Sequence, residues 1–467
     1  MELLGQKLLR EGIVTEEQIA KAVERQRYHG GRLGQNLVAL GFISNERLSE
    51  FLRKRPPAPK SVEETGLEIG FIAELSLKHI LFLGEFNLQV LSEAVRLPVP
   101  IIDIAVEELR KERLVEVKGA GGYSKMTYRF VITGQGKAKA LELLDVCRYV
   151  GPAPVTLSAY KDMVETQTIK NILVIEEEVK RAFSHIVISD RQLRRIGPAI
   201  SSGKAIFLYG PPGNGKTTIA ETMGKVLPET IYLPYAIIVG GQIISVFDSV
   251  NHILVEETQK SDSIDPRWAL IKRPVIMTGG ELTLSMLELE FNPISKFYEA
   301  PLQVKANNGL FIIDDFGRQQ MNPQQLLNRW IVPLERRVDF LSLHTGMKFD
   351  IPFDQLVIFS TNIEPKELVD EAFLRRIRYK IKIDHPTEEQ YKRIFRAVCE
   401  ANGIIYNEQA VDYLLSEYYK RLGVRLNACH PRDIVEHIID NAKYFGHAPE
   451  LTKESISEAW ENYFVEI

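Results

Sequence analysis

The residues Gly210-Pro211-Pro212-Gly213-Asn214-Gly215-Lys216-Thr217 have the spacing GxxxxGK[ST], which grips a phosphate chain. The glycines let backbone N–H groups close around phosphate oxygens, and a helix opening behind them adds its dipole. Lys216 can reach the β and γ phosphates, the Thr217 hydroxyl can ligate Mg2+, and Thr218 carries the loop into the helix. Further along, Leu310-Phe311-Ile312-Ile313 runs straight into Asp314-Asp315. An apolar strand closed by acids is a Walker B pattern: Asp314 would hold Mg2+ through a water, and Asp315 would polarise the attacking water. ATP and Mg2+ are the ligands this chemistry implies. Asp315-Phe316-Gly317 also spells the DFG of kinases, but no HRD loop and no GxGxxG loop precedes it.

These groups need a scaffold. Ala205 to Tyr209 reads as a buried strand before the phosphate loop, and Thr218 to Leu227 as a helix after it. Leu356 to Thr361 is another buried strand, tipped by Asn362. From about Ile172 strands and helices alternate, the pattern of a parallel sheet, and after Pro386 the pattern is all helical. With these motifs in this order, Ile196 to Ile467 resembles the AAA+ ATPases. The resemblance implies an α/β fold with a parallel-sheet core and a helical lid, working as a ring, expected as a hexamer.

It also implies roles. Asn362 fits sensor 1, orienting water against the γ-phosphate; the alternative is a structural turn. An arginine just ahead of the Tyr379 to Ile383 strand fits the finger for a neighbouring subunit, with Arg376 the first choice and Arg375 the second; the alternative is a surface salt bridge. Arg432, in His430-Pro431-Arg432-Asp433-Ile434, fits sensor 2 in the lid, or else stands exposed beside a helix cap. Asp315 occupies the position where most members carry glutamate. It is one methylene shorter, so slow turnover is expected.

Within that group, Ala300-Pro301-Leu302 through Asn308-Gly309, and Pro333-Leu334-Glu335, look like the chaperone-like MoxR branch. From about Leu75 the chain is more similar to a bacterial family of predicted ATPases with chaperone-like activity, through GPAPV (Gly151 to Val155), FLYGPPGNGKT and DDFGRQ. The implied activity is ATP-dependent remodelling of a protein partner. Between Pro274 and Pro301 we expect an insertion for substrate or partner contact, with a hairpin at Val275-Ile276-Met277 and Gly279-Gly280 and a short helix from Leu284 to Leu289. Ile238-Val239-Gly240, expected as the loop after the second strand, lacks the aromatic of threading unfoldases.

The N-terminus repeats itself. Leu4-Gly5, Leu8, Gly12, Ile19 and Val23 recur 29 residues on as Leu33-Gly34, Leu37, Gly41, Leu48 and Leu52. Each unit reads as a short helix, a glycine stop and a second helix, opened by a Thr15/Gln18 capping box in one case and by a Ser44 N-cap in the other. The pattern is similar to the N-terminal module of type II secretion and type IV pilus ATPases, some of which bind cyclic di-GMP through two such units. Here Leu3 stands where that pattern has arginine, and Arg55 where it has glutamine, whereas Arg32 and Gln26 fit. Two readings follow, protein docking and cyclic di-GMP sensing, and the likeness extends to a partner in pilus or secretion machinery.

Arg55 to Lys60 is a proline-rich linker. Beyond it come helices at Leu77 to Leu83, at Leu88 to Val95 and from Pro98 to about Glu112. Strands at Leu114 to Val117 and Tyr128 to Ile132 follow, with a turn at Gly119 to Gly122: the elements of a winged helix. From Pro98 to Lys118 there are five acids against four bases. A DNA-reading helix needs cations on one face, so docking of protein is favoured over a DNA-binding regulator that uses ATP as a switch.

The bulk composition agrees. The chain has 467 residues, 45% hydrophobic and 26% charged, with net charge −4, which supplies no global field for nucleic acid. The three cysteines, Cys147, Cys399 and Cys429, have no metal or redox spacing. No apolar run reaches membrane-span length and the N-terminus has no signal-peptide core, so a cytoplasmic location is expected. The expected organisation is a tandem module (1–55), a linker (56–70), a winged-helix-like domain (71–145), a connector (146–195), the AAA+ core (196–385) and the lid (386–467). A third reading, a cyclic di-GMP-responsive adaptor with little hydrolysis, rests on Asp315.

Overall fold

The computed structural model describes all residues except 1–3, 31–32, 45–46, 49–50, 52–54, 121–127, 173, 228–229, 257–262, 369–370 and 465–467. At its centre, apolar runs with no polar face must be covered on both sides, and this selects a parallel sheet between helices. Five strands form it: β1 (Ile206–Tyr209), β2 (Val275–Thr278), β3 (Leu310–Ile313), β4 (Leu356–Thr361) and β5 (Tyr379–Lys382). Their order is β5-β1-β4-β3-β2, and every pairing is parallel. Alternate residues face opposite ways. Ile206, Leu208, Ile312 and Ile358 pack with Ile196, Ile219 and Met223 on one side. Phe207, Phe311, Ile313 and Phe359 pack with Leu326, Trp330 and Phe373 on the other.

Three expectations are corrected here. Val275-Ile276-Met277 is not a hairpin in an insertion but the edge strand β2, paired with β3 from Val275↔Leu310 to Thr278↔Ile313. Its burial alternates, with Val275 and Met277 exposed and Ile276 and Thr278 buried, as suits an edge strand covered on one face. Leu284 to Leu289 yields only a single 3-10 turn, Ser285–Leu287. The second strand of the core sheet therefore begins after Ile238-Val239-Gly240, which cannot be the loop that follows it. Those residues lie in a hairpin of Ala236–Val239 with Gln242–Ser245, turned by Gly240 (φ 54°) and Gly241 (φ 76°). Positive φ at both turn positions belongs to a two-residue hairpin loop, and glycine adopts it without strain.

That hairpin belongs to a second sheet. The order is 290–292, 297–299, 242–245, 236–239 and 155–156. Its core takes Leu341, Phe349 and Ile351 from the antiparallel pair Val338–Ser342 and Lys348–Pro352, and Leu343 from the turn between them, a hairpin that lies between Asp315 and β4. A large insertion thus separates the helix after the phosphate loop from β2.

Ahead of the core, Ile69–Leu83, Leu88–Val95 and Val99–Lys111 are helices. Glu85–Phe86, Tyr128–Ile132 and Val115–Ala120 form a three-stranded antiparallel sheet, so the hairpin starts within a residue of the expected positions. Gly121 and Gly122, the end of the expected turn, lie outside the described residues. This unit shares its core with Ala236 and Ile243 of the second sheet. The proline-rich segment is also tied in: Ala58 N–H donates to the Ser263 carbonyl (2.9 Å) and Asp265 N–H to the Pro56 carbonyl (2.8 Å). Beside it, Arg267 makes a buried ion pair with Asp265 (2.8 Å) and donates to the Thr65 carbonyl (3.0 Å) and the Pro154 carbonyl (3.3 Å).

The N-terminal repeat builds helices Leu4–Arg10, Glu16–His29 and Leu33–Ala39. The Thr15/Gln18 capping box is formed, and the Ser44 hydroxyl accepts from Arg47 N–H (3.1 Å). Fourteen residues past Gly5 stands Ile19, and fourteen past Gly34 stands Leu48; a Cβ on either glycine would meet that side chain, at 3.6 and 2.9 Å. The repeat therefore places the same contact twice. Leu3, Arg32 and Leu52 lie outside the described residues. The lid is helical throughout, with Glu388–Ala401, His430–Phe445 and Lys453–Tyr463 packed around Tyr391, Phe395, Val435 and Trp460.

Arg267→Ala would leave Asp265 buried and uncompensated, at a cost of roughly 3–5 kcal/mol. We expect a lower unfolding midpoint and new protease cleavage near residues 55–60. An unchanged midpoint and digestion pattern would contradict this anchoring.

Candidate nucleotide site

The parallel sheet ends all its strands at one edge, and the chemistry collects there. Strand β1 delivers the chain to Gly210 (φ 143°), followed by Gly213 (φ 72°) and Gly215 (φ 78°). At Gly210 a Cβ would stand 2.0 Å from the Ile383 carbonyl, so any side chain would clash with backbone. The helix Lys216–Gly224 starts at once from Gly215, with no side chain capping its N–H groups. Those donors suit phosphate oxygens.

Lys216 is 7% exposed. Its ammonium donates to the Gly210 carbonyl (3.0 Å), the Pro211 carbonyl (2.9 Å) and Asn362 Oδ1 (2.6 Å). Burial pushes its pKa down, and the carboxylates of Asp314 and Asp315 push it back up. The Thr217 hydroxyl donates to Asp314 Oδ2 (2.7 Å). A hydroxyl and a carboxylate this close suit a hard, oxygen-seeking cation that takes its other ligands from water and phosphate, as Mg2+ does. Among the described residues no group of three or more His, Cys, Asp and Glu could hold a metal alone.

Strands β3 and β4 pair as Ile313↔Phe359, which brings their tips together. Phe316 N–H donates to the Ser360 carbonyl (2.7 Å), and the Thr361 hydroxyl to the Phe316 carbonyl (2.6 Å). Asn362 Nδ2 then donates to Asp315 Oδ1 (3.0 Å). Asp315 adopts φ 47°, a left-handed conformation uncommon for a residue with a side chain. Lys216, Asn362 and Asp315 therefore form one hydrogen-bonded set with the Thr217–Asp314 pair beside it, and Thr218 lies exposed on the helix behind.

The arginines lie differently. Arg376 Nε is held by Glu335 (2.6 Å). Arg375 is exposed and lines a cavity of about 470 Å3 with Tyr209, Glu364, Lys366 and Lys380. Arg432 is 66% exposed and faces Asp433 (3.6 Å) and Glu436 (3.9 Å) on its own helix. Among the described residues no hydrogen bond or ion pair joins its side chain to the phosphate loop. The motifs gave no sign of a direct junction between lid and loop: Cys429 N–H donates to the Gly213 carbonyl (2.8 Å), and Ala428 N–H to Asn214 Oδ1 (3.0 Å).

The fold is α/β: a parallel five-stranded sheet with a glycine loop where its first strand ends, and a helical unit joined to that loop. Residues 387–462, most of the lid, match the family described as "Domain of unknown function (DUF8689)". Over 56 residues the chain is 39% identical to the type IV pilus assembly ATPase PilB of Myxococcus xanthus (strain DK1622), a stretch covering 12% of this chain and 10% of that protein. Among solved structures it is similar to the RuvB Holliday junction branch migration motor of Thermotoga maritima, at 13% identity over 65% of this chain and 74% of that one, TM-score 0.34. It is also similar to NtrX from Brucella abortus (12%, 62% and 59%, TM-score 0.39) and to domain III of the Thermotoga maritima replication initiation protein DnaA (12%, 62% and 98%, TM-score 0.35). At such identities and scores, none of these structures says what this chain acts on.

Removing the Lys216 ammonium takes away the cation nearest the loop carbonyls. We expect Lys216→Ala to abolish ATP·Mg2+ binding, read by calorimetry, together with turnover. Unchanged affinity in that variant would rule the site out.

Proposed function

We propose that the chain is an oligomeric AAA+ ATPase that hydrolyses ATP to remodel a protein partner, in the chaperone-like manner its MoxR-type segments suggest. The observation that carries this reading is the single hydrogen-bonded set from Lys216 through Asn362 to Asp315, beside Thr217 and Asp314. In it, Lys216 binds the β and γ phosphates, and Asn362 orients water while Asp315 takes its proton. Thr217 and Asp314 would hold Mg2+, which neutralises charge on the phosphate oxygens. Asp315 is short, set on a left-handed backbone and engaged by Asn362, so turnover should be slow. Arg375 is the better finger: it is exposed, as a group that reaches a neighbouring subunit must be, whereas Arg376 is already paired with Glu335. Arg432 serves as sensor 2 once it leaves its own helix's acids.

The N-terminal units choose the partner. In the helix Val99–Lys111, Ile101 and Ile102 are buried where a DNA reader would present its side chains. Its bases are engaged, Arg110 with Glu107 and Lys111 with Glu108, and Lys118 and Arg129 both face Glu85. This winged-helix-like unit therefore suits protein rather than nucleic acid. For the 1–55 module we favour docking, to pilus or secretion machinery given the 56-residue likeness to PilB. Cyclic di-GMP regulation is the second reading. Ile175 of the ATPase packs against the module's core, so a signal there has a physical route onward. Among the described residues no helix is long and apolar enough to cross a membrane; we place the protein in the cytoplasm.

An arginine finger given in trans is worth roughly 10³–10⁵ in rate in other phosphoryl-transfer systems. We expect specific activity to rise with protein concentration, and Arg375→Ala to keep ATP binding but lose turnover. Mixing it with Lys216→Ala should restore some activity, because each supplies what the other lacks. Flat activity and no rescue would refute both ring and finger, whereas loss in Arg376→Ala alone would reassign the finger. Asp315→Asn should trap the ATP-bound protein on its partner; a trap that never retains protein in an ATP-dependent way counts against remodelling. Cyclic di-GMP titrated calorimetrically into the full chain should give heat lost in Arg32→Ala if the module senses it, and no heat if it only docks.

A further inference from the structure

The phosphate loop and the lid meet through two asparagines 213 residues apart. Asn214 lies at the tip of the loop and is 5% exposed. Its Nδ2 donates to the Pro211 carbonyl (3.4 Å), the Pro212 carbonyl (3.3 Å) and Asn427 Oδ1 (3.3 Å), and its Oδ1 accepts from Ala428 N–H (3.0 Å). One residue on, Cys429 N–H donates to the Gly213 carbonyl (2.8 Å). The approach is so close that a Cβ on Gly213 would stand 2.6 Å from the Cys429 sulfur. These contacts use side-chain and carbonyl groups of the loop and leave its N–H groups to phosphate.

Asn427 is itself held by the lid. Its Oδ1 also faces His385 Nδ1 (2.9 Å), and its Nδ2 faces His430 Nε2 (3.2 Å). An amide nitrogen only donates, so His430 Nε2 is the acceptor and Nδ1 carries the proton, donated to the Tyr419 hydroxyl (2.8 Å). Tyr419 continues to Tyr391 (2.9 Å) in the lid core. Burial pushes the His430 pKa down to about 4, consistent with this neutral tautomer. The chain from loop tip to lid core is therefore polarised in one sense, and Asn427 cannot turn its amide over without facing like groups at His385 and His430.

Just past the junction, Arg432 N–H (3.0 Å) and Asp433 N–H (3.1 Å) donate to the Cys429 carbonyl and start the helix His430–Phe445. The junction thus fixes where that helix begins relative to the loop. We propose that Asn214 and Asn427 are positioning residues that lock the lid to the phosphate loop, so that the lid helix is set for hydrolysis by the loop itself and not by nucleotide contacts alone. This rests on the ATPase reading above. Its effect falls on turnover rather than on ATP capture, because Asn427 lies outside the loop and the Thr217 hydroxyl and the loop N–H groups take no part in the junction; Asn214 meets Lys216 only through the shared Pro211 carbonyl.

The test is a double-mutant cycle on the full chain, with ATP affinity and turnover measured separately. Asn214→Ala and Asn427→Ala should each lower kcat about tenfold, the size expected for one or two lost hydrogen bonds, and in Asn427→Ala, which lies outside the phosphate loop, ATP affinity should change less than about threefold. The double variant should be no slower than either single one, because both cut the same junction. Amide exchange at Ala428 and Cys429 should quicken in each. Multiplied losses in the double variant, or an affinity in Asn427→Ala that falls as far as turnover, would overturn the proposal. Should Asn214→Ala not fold, Asn427→Ala lies outside the loop and must show the same split. If Lys216→Ala keeps its ATP affinity, the ATPase reading itself fails; if it loses affinity while the cycle is additive, only the junction is wrong.

Discussion

A cation buried where Lys216 lies must be satisfied on every side, and much of the site follows from that requirement. An ammonium has three donors and no acceptor, and leaving one unpaired away from water costs more than a hydrogen bond returns. Two partners are carbonyls of its own loop, which explains a loop that doubles back through Gly210. The third is Asn362, carried in by a different strand. That third bond requires β4 beside β1, and the register of β4 with β3 then places Asp315 next to Asn362. Sheet order, strand register and charge compensation are in this sense a single constraint.

The rest of the chain is built onto that sheet through shared cores rather than through tethers. The pair Val338–Ser342 and Lys348–Pro352 leaves the sheet after Walker B and buries Leu341 and Ile351 in the second sheet before β4 returns. The second sheet in turn gives Ala236 and Ile243 to the helical unit ahead of it. A polar node reinforces the ends of the strands: Asp354 accepts from Thr168 (2.9 Å), Ile169 N–H (3.0 Å) and Asn308 (2.8 Å), joining the segments that lead into β3 and β4.

What could be read from the sequence was what is local. The glycine spacing of the loop, the apolar run ending in Asp314-Asp315 and the Thr15 capping box each lie within about ten residues, so their physics is written in neighbouring letters. Strand β2 was missed because an edge strand is half polar: Val275 and Met277 face outward, and the glycines after it imitate a turn. The two arginines could not be told apart because Glu335, which engages Arg376, lies 41 residues away. The lid junction was invisible for the same reason: neither Asn214 nor Asn427 is unusual until the fold brings them together. The recurrence at 29 residues, by contrast, is visible in the sequence as two helical units, and the fold gives both the same glycine contact.

The core that holds Ala236 and Ile243 has a practical consequence for building chimeras. Exchanging the helices of 69–146 for those of another protein would cut through that core, because part of it comes from residues beyond the phosphate loop. The pinned segment 56–58 and the Arg267 ion pair would be severed by the same cut. The transplantable piece is therefore discontinuous in sequence: it joins the N-terminal helices to the strands 236–245 and 290–299 and to the pair Val338–Ser342 and Lys348–Pro352, while β2, which lies between those strands in the chain, stays with the five-stranded core. A change of partner by recombination has to import both pieces together, whereas point substitutions on exposed faces can act alone.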